Sequence, residues 1–155
     1  MMTARLVRCA RMASERATPA EIVREFCSVW ERGEFGRFGE FFTEDAVLHM
    51  LPLEPVRGPE AIRKECRKLD ELGTVSVKIL HLAAAGNVVF TERLDGLRTP
   101  ERARELPVAG VFELRDGKIA AWRDYFDLRQ ALDTFGLDAP SPALAPATGF
   151  RNLAG

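Results

Sequence analysis

"ELPVAGVFELRDGKIAAWRDYFDLR", residues 105–129, decides the fold. Asp116-Gly117 splits it into two alternating runs, and an Asp-Gly pair between such runs is a strong hairpin signal. Successive side chains of a strand leave on opposite faces. In the second run Lys118, Ala120, Trp122, Asp124, Phe126 and Leu128 therefore share one face, opposite Ile119, Ala121, Arg123, Tyr125 and Asp127. Upstream, "TVSVKILHLAAAG" (74–86) and "NVVFTERLDGL" (87–97) alternate in the same way, with a glycine-bearing turn between them. The second half of the chain reads as consecutive antiparallel strands.

The first half reads differently. "TPAEIVREFCSVWERG" (18–33) has an N-cap Thr18, Pro19 at the first helical position, Glu21 three residues after the cap and a terminating Gly33. Its apolar residues Ile22, Val23, Phe26, Val29 and Trp30 form one stripe, so an amphipathic helix is expected. "EFGRFGEFFTED" (34–45) is a short helical piece, "AVLHML" (46–51) a strand stopped by Pro52, and "GPEAIRKECRKLDELG" (58–73) a second helix with a Pro start and a Gly stop. Helices followed by strands predict an α+β fold in which a curved, mostly antiparallel sheet wraps the helices. Such a sheet encloses a cone whose open end is a natural small-molecule pocket.

Composition narrows the partners. At 155 residues, 46% hydrophobic with a net charge of −1, the chain fits one domain with a substantial core and no basic footprint for nucleic acid. No run approaches the roughly 18 apolar residues of a membrane span. Cys9, Cys27 and Cys66 are odd in number and lack CxxC spacing, which fits a reducing, cytoplasmic setting. Arg5, Arg8 and Arg11 interrupt any apolar core that a signal peptide needs, so residues 1–17 read as a loose extension. The Pro-, Ala- and Gly-rich end from 133 to 155 reads as a tail, leaving a domain over 18–132. No GxSxG, HExxH, P-loop or GxGxxG run occurs in a suitable context.

Charged residues on an apolar face are the chemical signal. In "TERLDGL" (91–97) Val89, Thr91, Arg93, Asp95 and Leu97 share a face, and on the last strand Asp124 lies between Trp122 and Phe126. A buried carboxylate is costly unless paired, and Arg93 with Asp95 could pair Asp124 if the two strands lie close. Parity alone leaves two readings open, a structural ion pair and an acid–base site.

"TERLDGL", "LPVAGVFEL" and "DGKIAAWRDYFDLR", with "FFTEDAVLHMLPLEPVRGPEAI", resemble limonene-1,2-epoxide hydrolase and its relatives, from about Pro19 to Leu132. That family is a branch of the cone-shaped fold shared with nuclear transport factor 2 and ketosteroid isomerase. The resemblance implies that Asp124 deprotonates water, Asp95 protonates the epoxide oxygen and Arg93 bridges them, with no metal and no organic cofactor. It also implies a small apolar epoxide as substrate, a pocket including Leu48, Met50, Trp122 and Phe126, and a homodimer. The outer face of the sheet would pair through Ala109 and Val111, opposite an inward Phe112.

One departure matters. The family usually carries a Tyr and an Asn, two residues apart on the first strand, that hold the attacking water with the base. Leu48 and Met50 stand at those positions, and His49 between them is expected on the other face. The resemblance extends to relatives that open epoxides with a hydroxyl of the substrate itself. An intramolecular cyclase is therefore the second enzyme reading, and a non-catalytic binding module is the third. His49 and His81 read as structural residues, and Cys27 and Cys66 as core positions on helices.

Overall fold

The computed structural model describes residues 17–135. Helix α1 (Pro19–Glu31) begins with the expected capping box, in which Thr18 accepts from the Glu21 amide while Glu21 accepts from the Thr18 amide at 2.7 Å. A 3₁₀ turn (Phe35–Arg37) and the single-turn α2 (Phe38–Phe41) lead into β1 (Phe42–Leu51). Then follow β2 (Val56–Arg57), α3 (Pro59–Asp70), β3 (Thr74–Ala85), β4 (Val88–Arg98), β5 (Ala103–Arg115), β6 (Lys118–Tyr125) and α4 (Leu128–Phe135). The strands form one sheet in the order β2-β1-β6-β5-β4-β3. All neighbours are antiparallel except β1 and β6, which run parallel. The fold is the expected α+β arrangement, a curled and unclosed sheet around helices.

The apolar stripe of α1 packs into the sheet with the first turns of the chain. Val23, Phe26 and Val29 are fully buried beside Phe38, Phe42, Phe112 and Trp122. Phe26 meets Phe38, Phe42 and Trp122 edge-on with centroids 5.0–5.3 Å apart. This aromatic cluster packs around Trp122 on both faces and its edge.

The structure corrects the sequence reading in three places. First, β1 begins at Phe42 rather than Ala46, because Phe42 pairs with Ile119 across a register shift and is buried in the core. Second, β6 is not a clean alternation: pairing steps from Leu114–Ile119 to Glu113–Ala121, which leaves Ala120 as the extra residue of a bulge. Ile119, read as facing away, is fully buried in the same core as Trp122. Third, the strand stops at Tyr125. Asp127 accepts the Gln130 amide at 2.8 Å and starts α4, whose last residues pass position 133 and so include the first part of the expected tail.

The extension up to residue 16, with Cys9, and the tail from 136 lie outside the described residues. No helix among the described residues is long and apolar enough to cross a membrane.

Candidate active site

Three neighbouring strands build the site. Thr91 of β4, Gly110 of β5 and Asp124 of β6 stand in one cross-sheet row, with Arg93 and Asp95 following on β4. Strand parity turns Thr91, Arg93 and Asp95 to the inside, where all three are buried.

The Arg93 side chain is fully buried and its fork is divided between two carboxylates. Nε donates to both Asp95 oxygens at 2.9 and 3.1 Å, and Nη2 donates to Asp95 Oδ2 at 3.0 Å and to Asp124 Oδ2. Nη1 reaches Thr91 Oγ1 at 3.3 Å. The guanidinium also lies 5.9 and 5.8 Å from the ring centroids of Phe112 and Trp122, a geometry that favours the cation. On the far oxygen of Asp124, Oδ1, the indole Nε1 of Trp122 donates at 2.7 Å.

The electrostatics follow from that burial. Burial opposes the charge on Arg93, but the Asp124 and Asp95 carboxylates outweigh it and hold the guanidinium above its ordinary value. Burial raises the Asp95 carboxyl above the ordinary carboxylate range; the contacts with Arg93 pull it down and the Asp124 charge pushes it further up. One cation between two carboxylates thus favours a state in which Asp95 carries a proton.

The pair opens onto a cavity of about 300 Å³. Asp95 and Asp124 are set in an apolar wall that includes Leu48, Met50, Trp122 and Phe126, so six of the seven predicted site residues line the cavity. The seventh, Arg93, lies behind the two carboxylates. Met50 is the β1 neighbour of Asp124 and Leu48 that of Trp122, so the β1 side presents no polar side chain to the base. His49 points away from the cavity and is buried, with no partner for Nε2 among the described residues. His81 is exposed and pairs with Glu92 at 2.6 Å.

Sequence reading missed two groups. Thr91, which parity had placed on the inward face, and Gly110, which only strand pairing reveals, shape the seat of Arg93. Leu128, Ala131, Leu132 and Phe135 of α4 also line the cavity; their helical spacing was legible, but the run to Arg129 was read as strand and the residues from 133 as tail. Cys66 also lines the wall, with burial keeping its thiol well above its ordinary range, while burial pushes the Cys27 thiol up to about 12, which in both disfavours the thiolate a nucleophile requires. Among the described residues no group of three or more His, Cys, Asp or Glu is placed to hold a metal ion.

A cone-shaped α+β fold with an Asp–Arg–Asp bridge facing an apolar cavity defines a class that comparison with known proteins makes specific. The limonene-1,2-epoxide hydrolase catalytic domain model matches residues 17–136. The chain is 31% identical to epoxide hydrolase EphG of Mycobacterium tuberculosis over 106 residues, which cover 68% of this chain and 71% of that one. A solved structure of an M. tuberculosis epoxide hydrolase of the same type superposes with a TM-score of 0.67 at 28% identity, covering 76% of this chain and 88% of that chain. A Catenulispora acidiphila protein of ketosteroid isomerase-like fold, solved with trimethylamine, superposes with a TM-score of 0.69 at 24% identity, over 79% of this chain and all of that one. The chain belongs to the limonene-1,2-epoxide hydrolase family.

Proposed function

We propose that this protein opens the epoxide of a small apolar molecule with water, in one step and without a covalent intermediate. The observation that carries the reading is the Arg93 fork held between Asp95 and Asp124 at the wall of an apolar cavity. Asp124 takes a proton from water as its oxygen attacks an oxirane carbon, the carbon–oxygen bond breaks, and Asp95 gives its proton to the departing oxygen. The product is a diol, Asp124 is left protonated and Asp95 ionised, and a proton passed between them restores the starting state. Arg93 keeps one positive charge against one negative charge throughout. Ring strain supplies reactivity, so positioning plus acid and base help, each worth about 10²–10⁴-fold, suffices.

Leu48, Met50, Trp122 and Phe126 would hold the apolar body of the substrate. A specific observation favours a second reading. Leu48 and Met50 offer no hydrogen bond to an attacking water, and a substrate that carries its own hydroxyl needs no such clamp, which points to intramolecular ether formation from a hydroxy-epoxide. The odd cysteine count and buried thiols suit a cytoplasmic setting.

Single turnover of cyclic epoxides in ¹⁸O-water separates these schemes. Direct attack puts solvent ¹⁸O into the diol of the first turnover. Unlabelled first-turnover diol would mean an ester with a carboxylate of the protein, and an isomeric ether from a hydroxy-epoxide would mean cyclisation.

A further inference from the structure

We infer that Trp122 is a positioning residue for Asp124, its indole N–H orienting a carboxylate to which β1 offers no polar group. This inference rests on the proposed role of Asp124 as base.

Two donors reach the Asp124 carboxylate: Arg93 at Oδ2 and Trp122 Nε1 at Oδ1, 2.7 Å away. They bind different oxygens, so together they fix rotation about the Cβ–Cγ bond, which a single donor leaves free. Each oxygen keeps a further lone pair that can accept from water or a substrate hydroxyl.

The indole can act as a fixed donor because it cannot turn. It is 1% exposed, lies near-parallel to Phe112 and Phe42 with interplanar angles of 19°, and meets Phe26 and Trp30 edge-on at 5.2 and 5.3 Å. Trp122 and Asp124 are two apart on β6 beyond the bulge, so both face inward and the N–H reaches the next inward side chain. Trp30 supplies the contrast. It packs edge-on against Trp122, yet its own buried Nε1 has no partner among the described residues. Packing alone does not require an indole N–H to be bonded here.

The titratable and charged groups around Asp124 are Arg93 and Asp95 from β4, Cys27 from α1, and Glu65, Cys66 and Lys68 from α3. Among the described residues, Arg93 and Trp122 donate to it.

The chain has two tryptophans, so an amide-region ¹H–¹⁵N spectrum of the whole protein contains two indole signals. Assigned with Trp30→Phe, the Trp122 signal should lie downfield, resist exchange, and move upfield on Asp124→Asn. A Trp122 signal unmoved by Asp124→Asn overturns the hydrogen bond, whether or not any epoxide is turned over. The kinetic arm uses Trp122→Phe and a site-specific benzothienylalanine at 122, which keeps the two-ring shape and lacks the N–H. Loss of the N–H should lower kcat about ten-fold, and with benzothienylalanine, which keeps the cavity wall, KM should stay within about two-fold. Unchanged kcat in a folded variant overturns the inference, whereas a wild type inert toward every epoxide overturns the proposed reaction and leaves the spectral result standing.

Discussion

Arg93 lies where a side chain on Gly110 would have to be. A Cβ built on Gly110 overlaps Nη1 of Arg93 and sits 2.7 Å from Thr91 Oγ1 and 3.0 Å from Asp124 Oδ1. The bare backbone of β5 is what lets a guanidinium cross from β4 to the carboxylate on β6. Gly110→Ala should therefore displace the fork, cutting turnover about 100-fold and costing about 1–3 kcal/mol of stability from overpacking. Turnover and thermal melts measured together check this, and a variant with wild-type turnover contradicts the seat.

The raised Asp95 carboxyl fixes the direction of pH effects. The folded protein holds this proton more tightly than the unfolded chain, so the stability it contributes is complete below the unfolded value. It is lost as pH rises through the raised folded value. Turnover should fall over the same alkaline limb, since ionised Asp95 has no proton to give. Melting temperatures of wild type and Asp95→Asn compared across pH should show the wild type losing ground as pH rises; a constant difference contradicts a raised Asp95.

The fold was legible because strand alternation, the Asp116-Gly117 turn and the capped helices each rest on local chemistry. Arg93, Asp95 and Asp124 were legible as inward charges for the same reason, although their mutual geometry depends on β4 and β6 flanking β5. Sequence parity failed at Ala120, since a bulge changes the count without changing composition. Gly110 was invisible because its role is cross-strand. Helix α4 was misread because "DYFDLR" suits strand and helix equally until Asp127 is seen as a cap.

We propose a homodimer through the outer face of the sheet. Phe90 and Tyr125 are 47% and 38% exposed there, alongside Ala109 and Val111, which pair with Tyr125 and Phe90 across the strands. Phe112, as expected, is fully buried on the inner side. Light scattering at micromolar concentration should give twice the 17.3 kDa of one chain, and Phe90→Asp should halve it. A wild-type mass of one chain contradicts the pairing.

Rebuilding the missing clamp tests how water is held. Leu48→Tyr with Met50→Asn adds two hydrogen-bonding groups beside Asp124, each worth roughly 1 kcal/mol or about five-fold. A hydrolase should gain diol formation, and a cyclase should divert product from ether to diol. A folded double variant with unchanged hydrolysis of every epoxide would mean that another group orients the water.

The proposed acid and base of epoxide opening are Asp95 and Asp124, bridged by Arg93. Epoxide turnover by Asp95→Asn and Asp124→Asn beside the wild type, with circular dichroism confirming the fold, decides the assignment. Arg93→Lys, which exchanges a bidentate fork for a point charge, belongs in the same series. Each Asn variant should lose about 10²–10⁴-fold in kcat, and the Lys variant should be severely impaired. Near-wild-type turnover by either folded Asn variant would contradict the assignment.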